Sequence, residues 1–299
     1  MIQATNVTKK FDKVLAVDNV SATIKNGNVF GLIGTNGAGK STFLRMASGI
    51  LKPDSGSIKI DNKEVFENID VKSKFFYISD EQFFFANCTP EDMKNYYTTV
   101  YKNFDIDRYK KLMKSFNLDE KRKIKTFSKG MKKQVSVICG VCSRADYLFC
   151  DETFDGLDPV VRQAVKSIFA QDIEERNLTP IIASHNLREL EDICDNIGLL
   201  HRGGMVLSKD LEELKLDLHK VQIVFKDGIP EDLFNKLHIM KTESRGSLNV
   251  FTIKGNGEHI NSYLNSLQPI FFEMLPLSLE EIFIAETEEI GYDIKSLII

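Results

Sequence analysis

The amino-acid sequence predicts an α/β protein: a mainly parallel, doubly wound sheet with a small β layer and a helical insertion, followed by a second, smaller α+β unit. Three observations carry that expectation. Short apolar runs alternate with amphipathic helical stretches over residues 129–194, and such alternation implies parallel strands joined by crossover helices. A glycine-rich run, Gly34-Thr35-Asn36-Gly37-Ala38-Gly39-Lys40-Ser41-Thr42, stands between the apolar residues 29–33 and a helical face of Phe43, Leu44 and Ala47. After about Leu216 the pattern changes to short strands separated by two helical stretches.

Taken in order, residues 2–8, 21–25, 29–33 and 57–60 read as strands, the last entered through the turn Pro53-Asp54-Ser55-Gly56. Short strands with tight turns fit a β layer laid on an α/β core. From about 89 to 125 the chain is helical and strongly charged, with Pro90 after Thr89 as a helix start. This is the expected insertion, closing near 143. Alternation then resumes with a helix at 129–143, a strand at 147–150, a helix at 159–175, a strand at 180–183 and a helix at 186–194. In the second unit, residues 221–225, 239–242, 250–253 and 270–274 read as strands, 230–237 and 258–267 as helices, and 278–286 as a final helix. The expected division is 1–215 and 216–299.

The 299 residues carry a formal net charge of -4. That balance argues against a sequence-independent nucleic-acid binder, which needs a basic face to displace counterions. The Lys and Arg residues gathered between Lys110 and Lys133 lack a clear interleaved aromatic pattern and read as a solvated helical face. Five cysteines, an odd number set mostly in apolar runs, suit reduced core thiols in a cytosolic protein. Cys139 and Cys142 form a C-x-x-C, but they share one helical face with Val135 and Ile138, so packing accounts for them. No signal peptide is evident and no apolar stretch approaches the length of a membrane span. Work at a membrane would need another chain to cross it.

The run 34–42 fills the pattern G-x-x-x-x-G-K-[ST] with a strand before it and a helix after it, which makes it a phosphate-binding loop. Its glycines let backbone N–H groups turn toward a polyphosphate, and the following helix points its positive dipole end at the same anion. Asn36, Gly37, Gly39, Lys40, Ser41 and Thr42 are the candidate contacts, with Lys40 reaching the β and γ phosphates and Ser41 placed to ligate Mg²⁺. Downstream, the apolar run Tyr147-Leu148-Phe149-Cys150 ends in Asp151-Glu152 at the carboxyl end of a strand, where ligands bind in such sheets. Asp151 is suited to the magnesium shell and Glu152 to polarising the water that attacks the γ-phosphate.

Between these elements, Phe127-Ser128-Lys129-Gly130-Met131 opens an amphipathic helix, Asp158 stands in Gly156-Leu157-Asp158, and His185 follows an apolar strand. In this order and spacing, residues 1 to about 215 resemble the nucleotide-binding subunit of ATP-binding-cassette (ABC) transporters. The resemblance implies a P-loop NTPase fold of ABC type and a Mg²⁺-dependent ATPase. It also implies a partner, a second ABC subunit, identical or related, closing head to tail around two ATP molecules. It further implies an integral-membrane subunit on a separate chain and a place on the cytoplasmic side of the membrane. By position, Phe11 is implied to stack on adenine and His185 to contact the γ-phosphate. Ser128 and Gly130 belong to the signature that binds ATP held by the opposite subunit, and Asp158 to the loop before the next helix. Ser128 and Asp158 also read as plain helix N-caps.

Two positions depart from the family pattern. Lys129 stands where glycine is usual. The loop that normally carries a magnesium-contacting glutamine reads Tyr77-Ile78-Ser79-Asp80-Glu81-Gln82, with Asp80 in register and Gln82 two residues late, leaving either residue as the contact; a carboxylate suits a hard cation. Leu277-Ser278-Leu279-Glu280-Glu281-Ile282-Phe283-Ile284 looks like the terminal motif of many bacterial exporter-type subunits, which implies export. An alternative is a non-transport ABC ATPase acting on ribosomes or DNA, although such proteins often carry two cassettes or long coiled coils. A GTPase or small-molecule kinase is disfavoured, since no Asn-Lys-x-Asp element follows the loop.

Overall fold

The computed structural model describes residues 1–226 and 228–289. Its chain forms two compact units, the second beginning at Lys209, and each has its own core.

The first unit opens with a long hairpin, β1 (Ile2–Phe11) and β2 (Val14–Ile24), then β3 (Phe30–Ile33), α1 (Lys40–Ala47), β4 (Ser55–Ile60), β5 (Lys63–Glu64), α2 (Ile69–Lys72) and β6 (Phe75–Ile78). The helical stretch follows as α3 (Pro90–Val100), α4 (Ile106–Ser115) and α5 (Lys129–Cys142). Then come β7 (Tyr147–Asp151), α6 (Pro159–Arg176), β8 (Thr179–Ser184), α7 (Leu187–Glu191), β9 (Asn196–His201) and β10 (Gly204–Asp210). A reciprocal cap starts α3: the Asp92 N–H donates to Thr89 Oγ1 while the Thr89 N–H donates to Asp92 Oδ2. Such a cap contributes about 1 kcal/mol to helix stability.

Strands β2, β1, β4 and β5 make an antiparallel layer. The larger sheet has the order β10-β9-β3-β8-β7-β6. Within it β3, β8, β7 and β6 run parallel side by side, with Ile33 opposite Ser184, Asp151 opposite Ala183 and Ile78 opposite Cys150. Their carboxyl ends therefore lie along one edge. The segments leaving that edge are residues 34–39, 185–186, 152–158 and 79–89, which contain most of the candidate site. Burial on both faces explains why β3, β7 and β8 are continuous apolar runs. It also explains β6 and β9, for which the sequence carries no strand expectation: Phe75-Phe76-Tyr77-Ile78 has no alternation to mark it as a strand. Strand β10, at the sheet edge, is mostly half-buried or exposed and shows no strand pattern for that reason. Strand β2 begins at Val14 instead of 21, because the whole hairpin pairs with β1, and α7 ends at Glu191 before a turn at 192–193.

The second unit contains α8 (Leu211–Asp217), β11 (Leu218–Val224), α9 (Leu233–Lys236), β12 (His238–Arg245), β13 (Leu248–Lys254), α10 (Gly257–Ser266), β14 (Phe271–Leu275) and α11 (Leu279–Glu289). Its strands pair antiparallel in the order β12-β13-β11-β14. Val221, Ile223, Leu233, Phe251, Ile253 and Leu264 form its core. The unit starts earlier than 216 because α8, capped by the Asp210 carboxylate accepting from the Glu212 and Glu213 N–H groups, precedes β11.

Candidate active site

The loop after β3 is shaped by two glycines that no other residue could replace. Gly39, with φ 103°, would place a Cβ 2.3 Å from the Ala16 carbonyl oxygen, and Gly34 would place one 2.5 Å from that of Leu200. Both contacts are with backbone, so the loop can pass this close to β2 and β9 only without side chains. Lys40, at the start of α1, is buried and folds back over the loop, where Nζ donates to the Gly34 carbonyl at 2.8 Å and the Thr35 carbonyl at 3.3 Å. It also lies 3.5 Å from Glu152 Oε1.

Asp151 closes β7 and is 1% exposed. Ser41 Oγ donates to its Oδ1 at 2.8 Å and Tyr77 OH to its Oδ2 at 3.1 Å. Burial pushes the Asp151 carboxyl above its ordinary value, against the opposing pull of the Ser41 and Tyr77 bonds and the Arg45 charge. The Tyr77 phenol is pushed up as well, by burial and by the Asp151 charge. Glu152 follows in the left-handed region, φ 47°. Its Oε2 lies 2.8 Å from His185 Nδ1 at the end of β8, and because an ionised carboxylate only accepts, that nitrogen carries the proton. Two bonded groups thus stand side by side on the carboxyl edge, Ser41 with Asp151 and Lys40 with Glu152 and His185, adjacent through the chain at 40–41 and 151–152.

The other candidates lie around them. Phe11 ends β1 with its ring 45% exposed, so it is not a core residue; Lys9 Nζ stands 5.7 Å from the ring centre. Ser128 caps α5, its Oγ accepting from the Met131 N–H, and Asp158 caps α6, its Oδ1 accepting from the Val161 N–H. A Cβ on Gly130 would sit 3.1 Å from the Gly156 carbonyl, so the start of α5 abuts the segment before α6. Lys129 is exposed and faces Asp155 at 3.6 Å. Of the two residues in the 79–89 loop, Gln82 turns its amide back onto the Ser79 and Asp80 carbonyls, while Asp80 is half-exposed and ion-paired with Lys133 at 3.3 Å.

Residues 17–155 match the family described as ABC transporter. The ABC transporter ATP-binding protein YtrB of Bacillus subtilis (strain 168) is 31% identical over 286 residues, spanning 96% of this chain and 98% of that protein. The chain belongs to the ABC transporter ATP-binding proteins. The bacitracin transport ATP-binding protein BcrA of Bacillus licheniformis is 27% identical over 296 residues, spanning 95% of this chain and 96% of its own. A solved ATP-binding subunit of an ABC transporter overlays with a TM-score of 0.66 at 23% identity, covering 72% of this chain and 92% of that one, which is a likeness of fold. The protein is therefore an ATP-binding, ATP-hydrolysing ABC subunit with the P-loop fold.

For magnesium, the site in this ABC ATPase offers a hydroxyl and a buried carboxylate side by side. A carboxyl raised by burial gains most from a nearby hard cation, so Ser41 and Asp151 fit Mg²⁺. Lys133 and Tyr77 were missed as parts of the site. In the sequence Lys133 is one more cation in a basic cluster and Tyr77 only the first residue of the 77–82 stretch; only the fold buries the lysine completely and turns the phenol onto Asp151.

Proposed function

We propose that this ABC ATPase binds Mg-ATP at loop 34–42, closes head to tail with a second ABC subunit around two ATP molecules, and drives a separate membrane-spanning subunit in the direction of export. The observation that carries the chemical part is that two bonded groups, Ser41 with Asp151 and Lys40 with Glu152 and His185, meet at neighbouring chain positions on one sheet edge.

In this reading Phe11 stacks on adenine, while the N–H groups of Asn36, Gly37, Gly39 and Thr42 and the Lys40 ammonium hold the phosphates. Ser41, Asp151 and Asp80 would supply oxygen atoms for Mg²⁺; Asp80 is favoured over Gln82 because a carboxylate suits a hard cation better than a neutral amide oxygen. Bound magnesium would offset charge on the transferring phosphoryl group. Glu152 takes the proton of the attacking water, and His185, already bonded to Glu152, orients it and reaches the γ-phosphate. Phosphate oxygens are better acceptors for Lys40 than two carbonyls, so nucleotide would draw the ammonium forward and away from them. Ser128, Gly130 and Asp158 serve the ATP of the opposite subunit, which suits helix N-termini presenting free N–H groups.

The membrane partner and the position on the cytoplasmic face rest on family membership. No helix among the described residues is long and apolar enough to cross a membrane. Export rests on the 277–284 segment and on similarity to a bacitracin transport protein. Affinity capture of the chain from native membranes, followed by identification of what comes with it, tests this part. A polytopic membrane protein is expected; ribosomes or DNA in its place would contradict the transport reading.

A further inference from the structure

Lys133 is the most deeply buried cation in the first unit, with a side chain 0% exposed. It lies on the second turn of α5, and its ammonium has three acceptors from two other segments. Nζ donates to the Glu152 carbonyl and, at 2.8 Å, to the Asp155 carbonyl, and it pairs with Asp80 Oδ1 at 3.3 Å. A fully buried ammonium is costly to desolvate unless every proton is used. Here all three are.

The Glu152 backbone needs such a hold. With φ at 47° it occupies a region that costs a non-glycine residue on the order of 1 kcal/mol or more, and that persists only where neighbours over-determine it. Its N–H donates to the Ala183 carbonyl at 3.0 Å, and its carbonyl accepts from Lys133. Both backbone polar groups are therefore pinned, one by β8 and one by α5, and together they set the direction in which the carboxylate leaves the chain. The same ammonium reaches Asp80 in the loop after β6. Any movement of that loop or of α5 displaces a charge bonded directly to the peptide group of Glu152.

We propose that Lys133 is a positioning residue for ATP hydrolysis: it fixes the backbone that aims Glu152 and ties that aim to the position of Asp80. This rests on the reading of Glu152 as the base. A shift of about 1 Å in a catalytic group lowers rates by up to roughly a hundredfold, so the effect belongs to kcat. ATP binding at the phosphate loop should be spared.

The test uses the full-length protein at saturating Mg²⁺, comparing Lys133→Met, Lys133→Arg, Asp80→Asn and the Lys133→Met/Asp80→Asn pair, with Glu152→Gln in parallel. Lys133→Met should lower kcat at least about tenfold while KM and equilibrium binding of ATP stay within about twofold. Lys133→Arg, which keeps the charge but not the reach, should recover part of the rate, and the double variant should lose less than the product of the two single losses. Normal kcat in Lys133→Met, a rise in KM matching the fall in kcat, or multiplicative losses would each overturn the proposal. If Lys133→Met fails to fold, amide exchange over residues 152–158 in Asp80→Asn decides. Faster exchange there than in wild type supports the tie, and unchanged exchange overturns it. Loss of turnover in Glu152→Gln beside a normal Lys133→Met would remove only the positioning role. Retained turnover in Glu152→Gln would instead remove the base assignment, and the exchange measurement would still report on Lys133.

Discussion

Glu152 Oε2 and His185 Nδ1 are 2.8 Å apart, joining the end of β7 to the end of β8, while the other carboxylate oxygen faces Lys40 at 3.5 Å. A carboxylate with one oxygen on an imidazole N–H and the other beside an ammonium is held as an acceptor, which is the state a general base requires. Glu152→Gln keeps the shape and loses the proton-accepting charge. Turnover should fall by a factor on the order of 10² to 10⁴, with ATP affinity retained and an ATP-bound dimer accumulating. Steady-state hydrolysis near that of wild type would remove Glu152 from the role.

Asp151 gives a prediction of opposite sign for stability and activity. Its carboxyl is raised by burial, so ionising it costs the folded chain more than the unfolded one. Below the ordinary carboxylate pKa both states are protonated and this penalty is absent. It develops as pH rises through the raised folded value and is complete above it. Nucleotide-free Asp151→Asn should therefore melt higher than wild type near pH 7, and the difference should shrink as pH falls toward 4, while its hydrolysis is lost. Paired thermal melts across that range check the sign; a variant that melts lower at neutral pH would show that the Ser41 and Tyr77 bonds outweigh burial.

Phe11 is exposed at the tip of the hairpin, so its removal separates recognition from stability. Phe11→Ala should weaken ATP binding by roughly 1–3 kcal/mol, the range of a base stacked on an aromatic ring, with no fall in melting temperature. Equal affinities for the two proteins would place adenine elsewhere.

The boundary at Lys209 predicts that a chain ending after Asp210, the last residue of β10, still folds and binds ATP, because the phosphate loop, β7 and β8 all precede it. Calorimetric titration with ATP on folded, soluble truncated protein checks this. Folded protein without binding would mean that the second unit completes the site.

Much of this was legible in the sequence, and for identifiable reasons. The phosphate loop and Asp151-Glu152 could be read because the chemistry demands fixed residue types at fixed spacing, and Gly34 and Gly39 meet backbone that no Cβ can share. Strands β3, β7 and β8 announced themselves as continuous apolar runs. What stayed hidden was of two kinds. Strands β6 and β9 lack period-two alternation because they are buried on both faces, and the edge strand β10 is too little buried to carry a pattern. Lys133, Tyr77 and the Glu152–His185 contact depend on residues 19 to 74 positions apart meeting at one edge, and neither charge nor hydropathy along the chain encodes such a meeting. The choice between Asp80 and Gln82 is also open from spacing alone, and the folded loop engages both, Gln82 Nε2 on loop carbonyls and the Asp80 carboxylate on Lys133.

In the proposed cycle each ATP site is built from two subunits, and mixing two inactive variants reports on that sharing. Lys40→Ala removes the phosphate-holding ammonium, and Ser128→Arg blocks the start of α5. If Ser128 serves the opposite subunit's ATP, a mixed dimer holds one site with both defects and one site with neither. Random pairing makes half of the dimers mixed with one working site of two, so activity should return to about a quarter of wild type, less if the sites are strongly coupled. No recovery, with wild-type homodimer activity and subunit exchange both demonstrated, would contradict the shared site.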